Sequence, residues 1–557
     1  MTMSHISKEI SEVAHEMGLQ QGDWIPYGIG KAKVRLEVAQ QKPRSSGARY
    51  VLVTAINPTP LGEGKTTTAI GLAMGLCDMG QRAVVTLRQP SLGPVFGIKG
   101  GGTGGGKAQL EPMHDINLHL TGDAYAVAAS HNLLAAFTDN HLFHGNELSL
   151  DPRSITWPRA MAISDRALRH VTVPGHNQVK GREAQFVITE ASEVMAILAL
   201  ARDRSDLRQR LGRIFVGMTT SGKPVFAEDL RCAGAMEVLL QEALLPNLVQ
   251  TSEGTPALVH AGPFGNIAHG NCSVLADEIA LRHADYVVTE AGFGSDLGAE
   301  KFFNIKCRVS GLVPNAAVVV ATLRALKLHG GGGTVKPGRP LPASLTDPNR
   351  QALEKGLDNL AQHIANIRTY GVPVVVAVNA FPEDSGDELE WVRTRALDLG
   401  AAGASVSTHF QEGGKGASDL AQTVIRVADQ PVRYTPLYKD TDTIKGKIHA
   451  IATSMYGAGQ VAYDPQAERD IERATQLGFS HLPICMAKTP LSLSHDPLLK
   501  GRPTGFTIPI KEVRILSGAG FLTAVCSGMQ LMPGLPKVPA GEGISLDHET
   551  GEIRGLR

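Results

Sequence analysis

The sequence predicts an α/β protein: a P-loop-type, doubly wound, mostly parallel sheet, with two smaller α/β units after it. Three observations predict this. An apolar, β-branched stretch of strand length, residues 50–56, runs into Thr59-Pro60-Leu61-Gly62-Glu63-Gly64-Lys65-Thr66-Thr67-Thr68, and Ile70, Ala73, Met74 and Cys77 then recur at the i, i+3, i+4, i+7 spacing of a helix face. Further apolar stretches at 83–87, 257–261, 285–289, 316–321 and 372–378 alternate with helical ones, the pattern of parallel strands joined by crossover helices. The downstream ends of these strands give way to glycine and polar residues, which marks one ligand-facing edge.

Strand, glycine turn and helix together make the context a phosphate loop needs. Glycines let backbone N–H groups crowd around phosphate oxygens, and the helix N-terminus adds its dipole. Thr59, Pro60, Leu61, Gly62, Glu63, Gly64, Lys65, Thr66 and Thr67 are therefore the expected nucleotide-binding residues. Lys65 reaches the β- and γ-phosphates in this reading, and the Thr66 hydroxyl holds Mg²⁺. The usual first glycine of such a loop falls on Thr59, and Pro58 and Pro60 stiffen the turn instead.

Composition narrows the class. The 557 residues carry a formal net charge of zero, so no basic field is available for nucleic acid or an anionic membrane. Hydrophobic content of 43% suits a globular core, and 61 glycines with 5% aromatics suit many tight βα turns. The six cysteines form no C-x-x-C pair and read as buried thiols in a reducing compartment, not a zinc site. The first residues are polar, and no apolar run approaches the about 18 residues of a membrane span. A cytoplasmic protein without nucleic-acid or membrane partners is expected.

Along the chain, residues 1–49 read as a helical lead-in and a basic segment. Tyr27, Lys31 and Lys33 there either belong to a solvated face or line an anionic site. Gly71 and Gly75, on the helix after the loop, permit close packing on a sheet. The second strand ends at Arg88-Gln89-Pro90-Ser91, which puts Arg88 beside the phosphate loop, where its planar fork suits a carboxylate or phosphate. Residues 97–107 are too glycine-dense for a regular element and read as a loop closing on a ligand. Asp123, at a glycine turn, is a better candidate for chemistry than His114, His119 or His131, whose spacing makes no metal site. Residues 213–217 and 224–227 are strand-like. The Gly330–Pro340 stretch is the clearest composition break, giving expected units at 1–335, 336–470 and 471–557. In the second unit, Phe381 with Pro382, and Phe410 ahead of Gly413-Gly414, follow two strands and face one edge.

Together these stretches resemble the formate–tetrahydrofolate ligase family. They are the loop at 58–68, Leu87-Arg88-Gln89-Pro90-Ser91-Leu92-Gly93-Pro94, Asp115-Ile116-Asn117-Leu118-His119, Gly262-Pro263-Phe264-Gly265-Asn266-Ile267-Ala268-His269-Gly270, Thr289-Glu290-Ala291-Gly292-Phe293-Gly294 and Met532-Pro533-Gly534-Leu535-Pro536-Lys537. The resemblance implies ATP, Mg²⁺, formate and tetrahydrofolate, polyglutamylated or not, as ligands. It also implies activation by a monovalent cation such as K⁺ or NH₄⁺, and a homotetramer. It implies that Lys65 and Arg88 hold a formyl phosphate intermediate, that Asp123 lies close to the reacting amine, and that Phe293, Phe381, Pro382 and Phe410 hold the folate ring. At position 410 the family usually has tryptophan, and at 89 often glutamate; this chain has Phe410 and Gln89. Two other readings of such a loop stay open on the residues alone: another carboxylate–amine ligase, and a nucleotide-switched partition or metal-delivery ATPase.

Overall fold

The computed structural model describes residues 7–44, 47–60, 62–99, 101–175, 181–335 and 341–556. Leu61, Gly100 and the 336–340 part of the composition break lie outside them. Seven parallel strands form the centre of one large sheet. They are β1 (Arg49–Ala55), β2 (Ala83–Leu87), β3 (Pro256–Val259), β4 (Tyr286–Gly294), β5 (Ala316–Thr322), β6 (Val374–Asn379) and β7 (Gly403–Ser407), in the spatial order β3-β2-β4-β1-β5-β6-β7. After β1 the chain fills one side of the sheet, returns through β4 and then builds outward on the other side. The order therefore reverses around β1, and ligands of open α/β sheets sit outside such a reversal at the carboxyl ends.

Side-chain alternation explains why the sheet is covered on both faces. Tyr50 and Leu52 belong to one apolar core, whereas Val51, Val53 and Ala55 belong to the other with Ile70, Ala73 and Met74 of α1 (Lys65–Asp78). β5 divides in the same way, Ala317 and Val319 against Val318 and Val320. Strands buried on both faces read as continuous apolar runs, which is why they were visible in the sequence.

Several expectations need correction. The strands after residue 340 are not a second sheet: β6 pairs with β5, and β7 with β6, so the sheet runs through the expected boundary at 335/336. Gly330 and Gly356 instead let two helices touch, since a Cβ on Gly330 would lie 1.7 Å from the Ala352 carbonyl oxygen. A separate four-stranded sheet forms the last unit, but it includes Gln460–Tyr463 and so begins before residue 471. The lead-in is a helix, Ile10–Met17, followed by a hairpin of Trp24–Pro26 and Ala32–Val34 at the edge of the large sheet. Phe215–Met218 and Pro224–Phe226 form a two-stranded hairpin apart from it. Gly71 and Gly75 face the segment after β7, not the sheet: a Cβ on Gly71 would lie 2.6 Å from the His409 Cβ, and one on Gly75 3.1 Å from the Ala417 Cβ.

The last unit is tied to the large one through a buried acid. The Glu193 carboxyl accepts hydrogen bonds from the backbone N–H groups of Gly518, at 2.7 Å, and Ala519, at 3.1 Å. Burial outweighs these donors and pushes Glu193 up to about 8; burial likewise pushes Glu190 and Glu300 up to about 7. A carboxyl raised in the folded state favours folding while protonated and disfavours it as pH rises through the folded value. The melting temperature is therefore expected to fall between about pH 5 and about pH 8, and Glu193→Gln to flatten that fall. Differential scanning fluorimetry across this range checks it.

Candidate active site

The loop between β1 and α1 is held by its own Glu63 and by the ends of two strands. Gly62 and Gly64 adopt φ of 81° and 70°, and α1 begins at Lys65, its first-turn N–H groups facing the loop. Glu63 turns inward: its Oε1 accepts the Thr59 N–H at 2.6 Å, and its Oε2 accepts the hydroxyl of Thr322 at the end of β5. Asn379, ending β6, donates to the Glu63 carbonyl at 3.0 Å and to the Thr68 hydroxyl at 2.8 Å. The loop is thus fixed by the carboxyl ends of both strands on that side.

Lys65, Thr66 and Arg88 converge on one carboxylate, that of Glu290. The Thr66 hydroxyl donates to Glu290 Oε2 at 2.8 Å, Lys65 Nζ lies 3.4 Å from the same oxygen, and Arg88 Nη2 lies 3.4 Å from Oε1. Strand pairing brings them together, because Glu290 on β4 sits opposite Val53 on β1 while Arg88 directly follows β2, the other neighbour of β4. Burial pushes the Glu290 carboxyl up, but Lys65, Arg88 and the Thr66 hydroxyl outweigh it and hold the group at about 2. Burial, reinforced by Arg88, lowers Lys65.

Arg88 is positioned with capacity to spare. Its Nη1 donates to the Pro263 carbonyl at 3.1 Å, whereas its Nε is buried with no hydrogen-bond partner among the described residues. The backbone beside it is crowded. A Cβ on Gly292 would lie 2.9 Å from the Gly265 Cα and 3.2 Å from Arg88 Nη1. The glycines of the 262–270 and 289–294 stretches are thus needed for close approach next to the guanidinium.

The aromatic candidates share the carboxyl edge of the sheet. Phe293, the last residue but one of β4, has φ of 60° and is half-buried. Phe381 follows β6, half-buried, with the Arg324 guanidinium 3.7 Å from its ring centroid; Pro382 is exposed. Phe410, after β7, is 50% exposed. The glycine-dense segment is less irregular than expected. Gly104–Gly105 pairs with Ala108–Glu111, and the hairpin rests on Phe410, whose carbonyl accepts the Lys107 N–H at 2.9 Å. A Cβ on Gly106 would lie 2.2 Å from that carbonyl oxygen.

Asp123 is not in this cluster. Its Oδ1 accepts from Lys33 Nζ at 2.6 Å and Thr121 Oγ1 at 3.2 Å, and its Oδ2 from Lys33 at 2.8 Å and Asn247 Nδ2 at 2.7 Å. Lys33 is fully buried, not on a solvated face. Lys31 pairs with Asp115, and the Tyr27 hydroxyl donates to Glu242. Glu290 is the residue that sequence reasoning quoted but gave no role; its signal was an acid directly after the apolar run 286–289. Two surface clefts, of about 840 and 560 Å³, include none of Lys65, Thr66, Arg88 or Glu290. Among the described residues, no group of three or more His, Cys, Asp or Glu could hold a metal ion, and no helix is long and apolar enough to cross a membrane.

Comparison with known proteins gives a consistent picture. Residues 1–557 match a family model described as formate–tetrahydrofolate ligase. The chain is similar to the formate–tetrahydrofolate ligase of Saccharopolyspora erythraea, 53% identical over 551 residues, 99% of this chain and 97% of the relative. That of Roseiflexus sp. (strain RS-1) is 54% identical over 551 residues, 99% of this chain and 98% of the relative. That of Desulforamulus reducens is 52% identical over 558 residues, 100% of this chain and 98% of the relative.

Proposed function

The chain belongs to the formate–tetrahydrofolate ligase family, an ATP-dependent ligase joining formate to tetrahydrofolate as 10-formyltetrahydrofolate; on that premise we propose that its reaction runs through formyl phosphate in a single pocket built on Lys65 and Arg88. The observation that carries this is their meeting on one carboxylate while Arg88 Nε, buried, has no hydrogen-bond partner among the described residues.

Formate is ionised near neutral pH, so its attack on the γ-phosphorus needs no general base. It needs charge neutralisation, because two anions must approach. Lys65 and the α1 N-terminus supply it to the phosphates, cradled by Thr59, Pro60, Gly62, Glu63, Gly64 and Thr67. Leu61 belongs to the same proposed cradle but lies outside the described residues. Arg88 orients formate through Nε and a second N–H. Mg²⁺ suits the Thr66 hydroxyl, an oxygen donor at the helix start with a carboxylate beside it; when bound, it neutralises phosphate charge. Formyl phosphate is cleaved by water, so the half-buried setting of both cations protects it. The amine of tetrahydrofolate then attacks the formyl carbon, with Arg88 holding the developing oxyanion, and the bond from that carbon to the phosphate oxygen breaks to release inorganic phosphate. Phe293, Phe381, Pro382 and Phe410 hold the folate ring. Phe410 offers less face than tryptophan and no indole N–H.

The family resemblance puts Asp123 close to the reacting amine, as a candidate acceptor of its proton, whereas its oxygens are engaged by Lys33, Asn247 and Thr121, as those of an anchor would be. Asp123→Asn separates a base from an anchor. A base predicts an unchanged melting temperature, retained formyl phosphate chemistry and lost transfer. An anchor predicts a loss of about 3 kcal/mol of stability, because Lys33 is left buried without its counter-ion, with only the Leu245 carbonyl and an amide to accept from it; we expect the anchor. Activation by K⁺ or NH₄⁺, a polyglutamylated folate substrate, a homotetramer and a cytoplasmic location are further proposals carried by the family resemblance. ADP release by the purified protein tests the whole reading. Dependence on both formate and tetrahydrofolate is expected, and release driven by DNA or a partner protein instead would overturn it.

A further inference from the structure

We propose that Arg324 is a positioning residue for the folate ring: its guanidinium backs one face of Phe381 and so fixes the other face for the pterin to stack on. The inference rests on the reading above that Phe381 holds that ring. Arg324 is the second residue of the helix Leu323–His329, which begins where β5 ends. Thr322, the last residue of β5, pairs with Asn379, the last of β6. Arg324 and Phe381 thus each stand two residues past a paired position. Phe410 stands three residues past Ser407, which pairs with Asn379 from β7. The three residues therefore follow neighbouring strands at one edge, with Phe381 in the middle.

The contacts of Arg324 are those of a backing group. Its Cζ atom lies 3.7 Å from the Phe381 ring centroid, which puts the guanidinium over the ring face and not at its edge. Its Nη2 donates to the Glu383 carboxylate, but Glu383 is 50% exposed, and an ion pair at such a position contributes little. Its Nε is buried with no hydrogen-bond partner among the described residues. The aromatic ring is thus the chief thing the guanidinium meets. The Phe381 backbone is fixed separately, its N–H donating to the Asp384 carboxylate at 2.9 Å, which leaves the plane of the ring for Arg324 to set.

Charge gives the stack a preference. A cation on one face draws the ring's electron density toward itself and makes the opposite face less negative. That face then suits an electron-rich, amino-substituted heterocycle such as a reduced pterin. The hydrogen bond from this stretch to the phosphate loop is made by Thr322, whose hydroxyl donates to Glu63, and not by Arg324. Loss of the guanidinium therefore acts on folate and not on the nucleotide.

The test is steady-state kinetics with tetrahydrofolate varied at saturating ATP and formate, together with calorimetric binding of the β,γ-imido analogue of ATP. Arg324→Gln is expected to raise KM for tetrahydrofolate about 5- to 30-fold, with kcat and the affinity for the analogue changed by less than about threefold. Phe381→Leu should raise the same KM at least about fivefold. On that background Arg324→Gln should add less than about twofold, because it acts through the ring. If Arg324→Gln does not fold, Arg324→Lys carries the test: it keeps a cation but loses the plane, and the folate KM should rise by a smaller factor. A folate KM that stays unchanged in the folded variant, where Phe381→Leu raises it, overturns the inference. So does a rise that multiplies with that of Phe381→Leu, since Arg324 would then touch the ligand itself, and so does a loss of affinity for the ATP analogue in place of the folate effect. If Phe381→Leu leaves the folate KM at the wild-type value, the reading of Phe381 is what fails, and the inference falls with it.

Discussion

Alanine at position 65 is expected to leave a folded protein that makes no ADP from ATP and formate, with a loss in kcat of at least about 10³-fold. The size follows from what Lys65 does and does not do. Among the described residues its side chain has one ionic partner, Glu290, at 3.4 Å, and Glu290 keeps Arg88 and the Thr66 hydroxyl when the lysine is gone. The carboxylate is therefore not stranded, and the melting temperature should move little. What is lost is a cation at the N-terminus of α1 placed to meet charge on the transferring phosphoryl group. A preorganised donor of that kind, in a site only 14% exposed at the lysine, acts through a dielectric well below that of water. Quenched-flow measurement of ADP with formate saturating, and no folate present, isolates the step. A variant within about tenfold of wild type would remove Lys65 from the phosphoryl chemistry.

The parts of this site that could be read from sequence are those whose partners are close in the chain. The strand before Thr59 and the helix after Gly64 are local patterns, and Arg88 follows from the end of a strand. Glu290 could not be given its role that way. Its neighbours are set by pairing 286–290 with 49–53 on one side and with 83–86 on the other, contacts more than 200 residues apart. The partners of Asp123 were hidden for the same reason: Lys33, 90 residues earlier, is buried against it. Gly71 and Gly75 announced close packing, but not that its partner would be the segment from His409 to Ala417. The glycines near 330 were read as a break between units because composition cannot distinguish a linker from two helices in backbone contact. Periodicity identifies an element and its buried face; which element covers that face is decided by long-range pairing.

Arg88→Lys is expected to lower kcat/KM for formate by about 30- to 150-fold, mostly through KM, while binding of the ATP analogue changes by less than about threefold. Charge is kept in this variant, so the result isolates geometry. The guanidinium is held by two anchors, Nη1 on the Pro263 carbonyl and Nη2 toward Glu290. With those satisfied, Nε is the buried donor left over, and a planar carboxylate such as formate matches a donor pair in one plane. A lysine ammonium can make one of these contacts but cannot anchor at Pro263, approach Glu290 and present a fork at once. Losing one to two charge-assisted hydrogen bonds costs about 2–3 kcal/mol, which is the stated range in rate. Steady-state kinetics with formate varied at saturating ATP and folate reads it directly. If KM for formate stays at the wild-type value and only the melting temperature falls, then Arg88 serves as the counter-ion of Glu290 and formate is held elsewhere. Gly292 makes the distinction sharper, because a Cβ there would press on Nη1 at 3.2 Å. Gly292→Ala keeps the guanidinium but also meets the Gly265 Cα at 2.9 Å, so a raised formate KM in that variant at an unchanged melting temperature would identify orientation, not charge, as what Arg88 contributes.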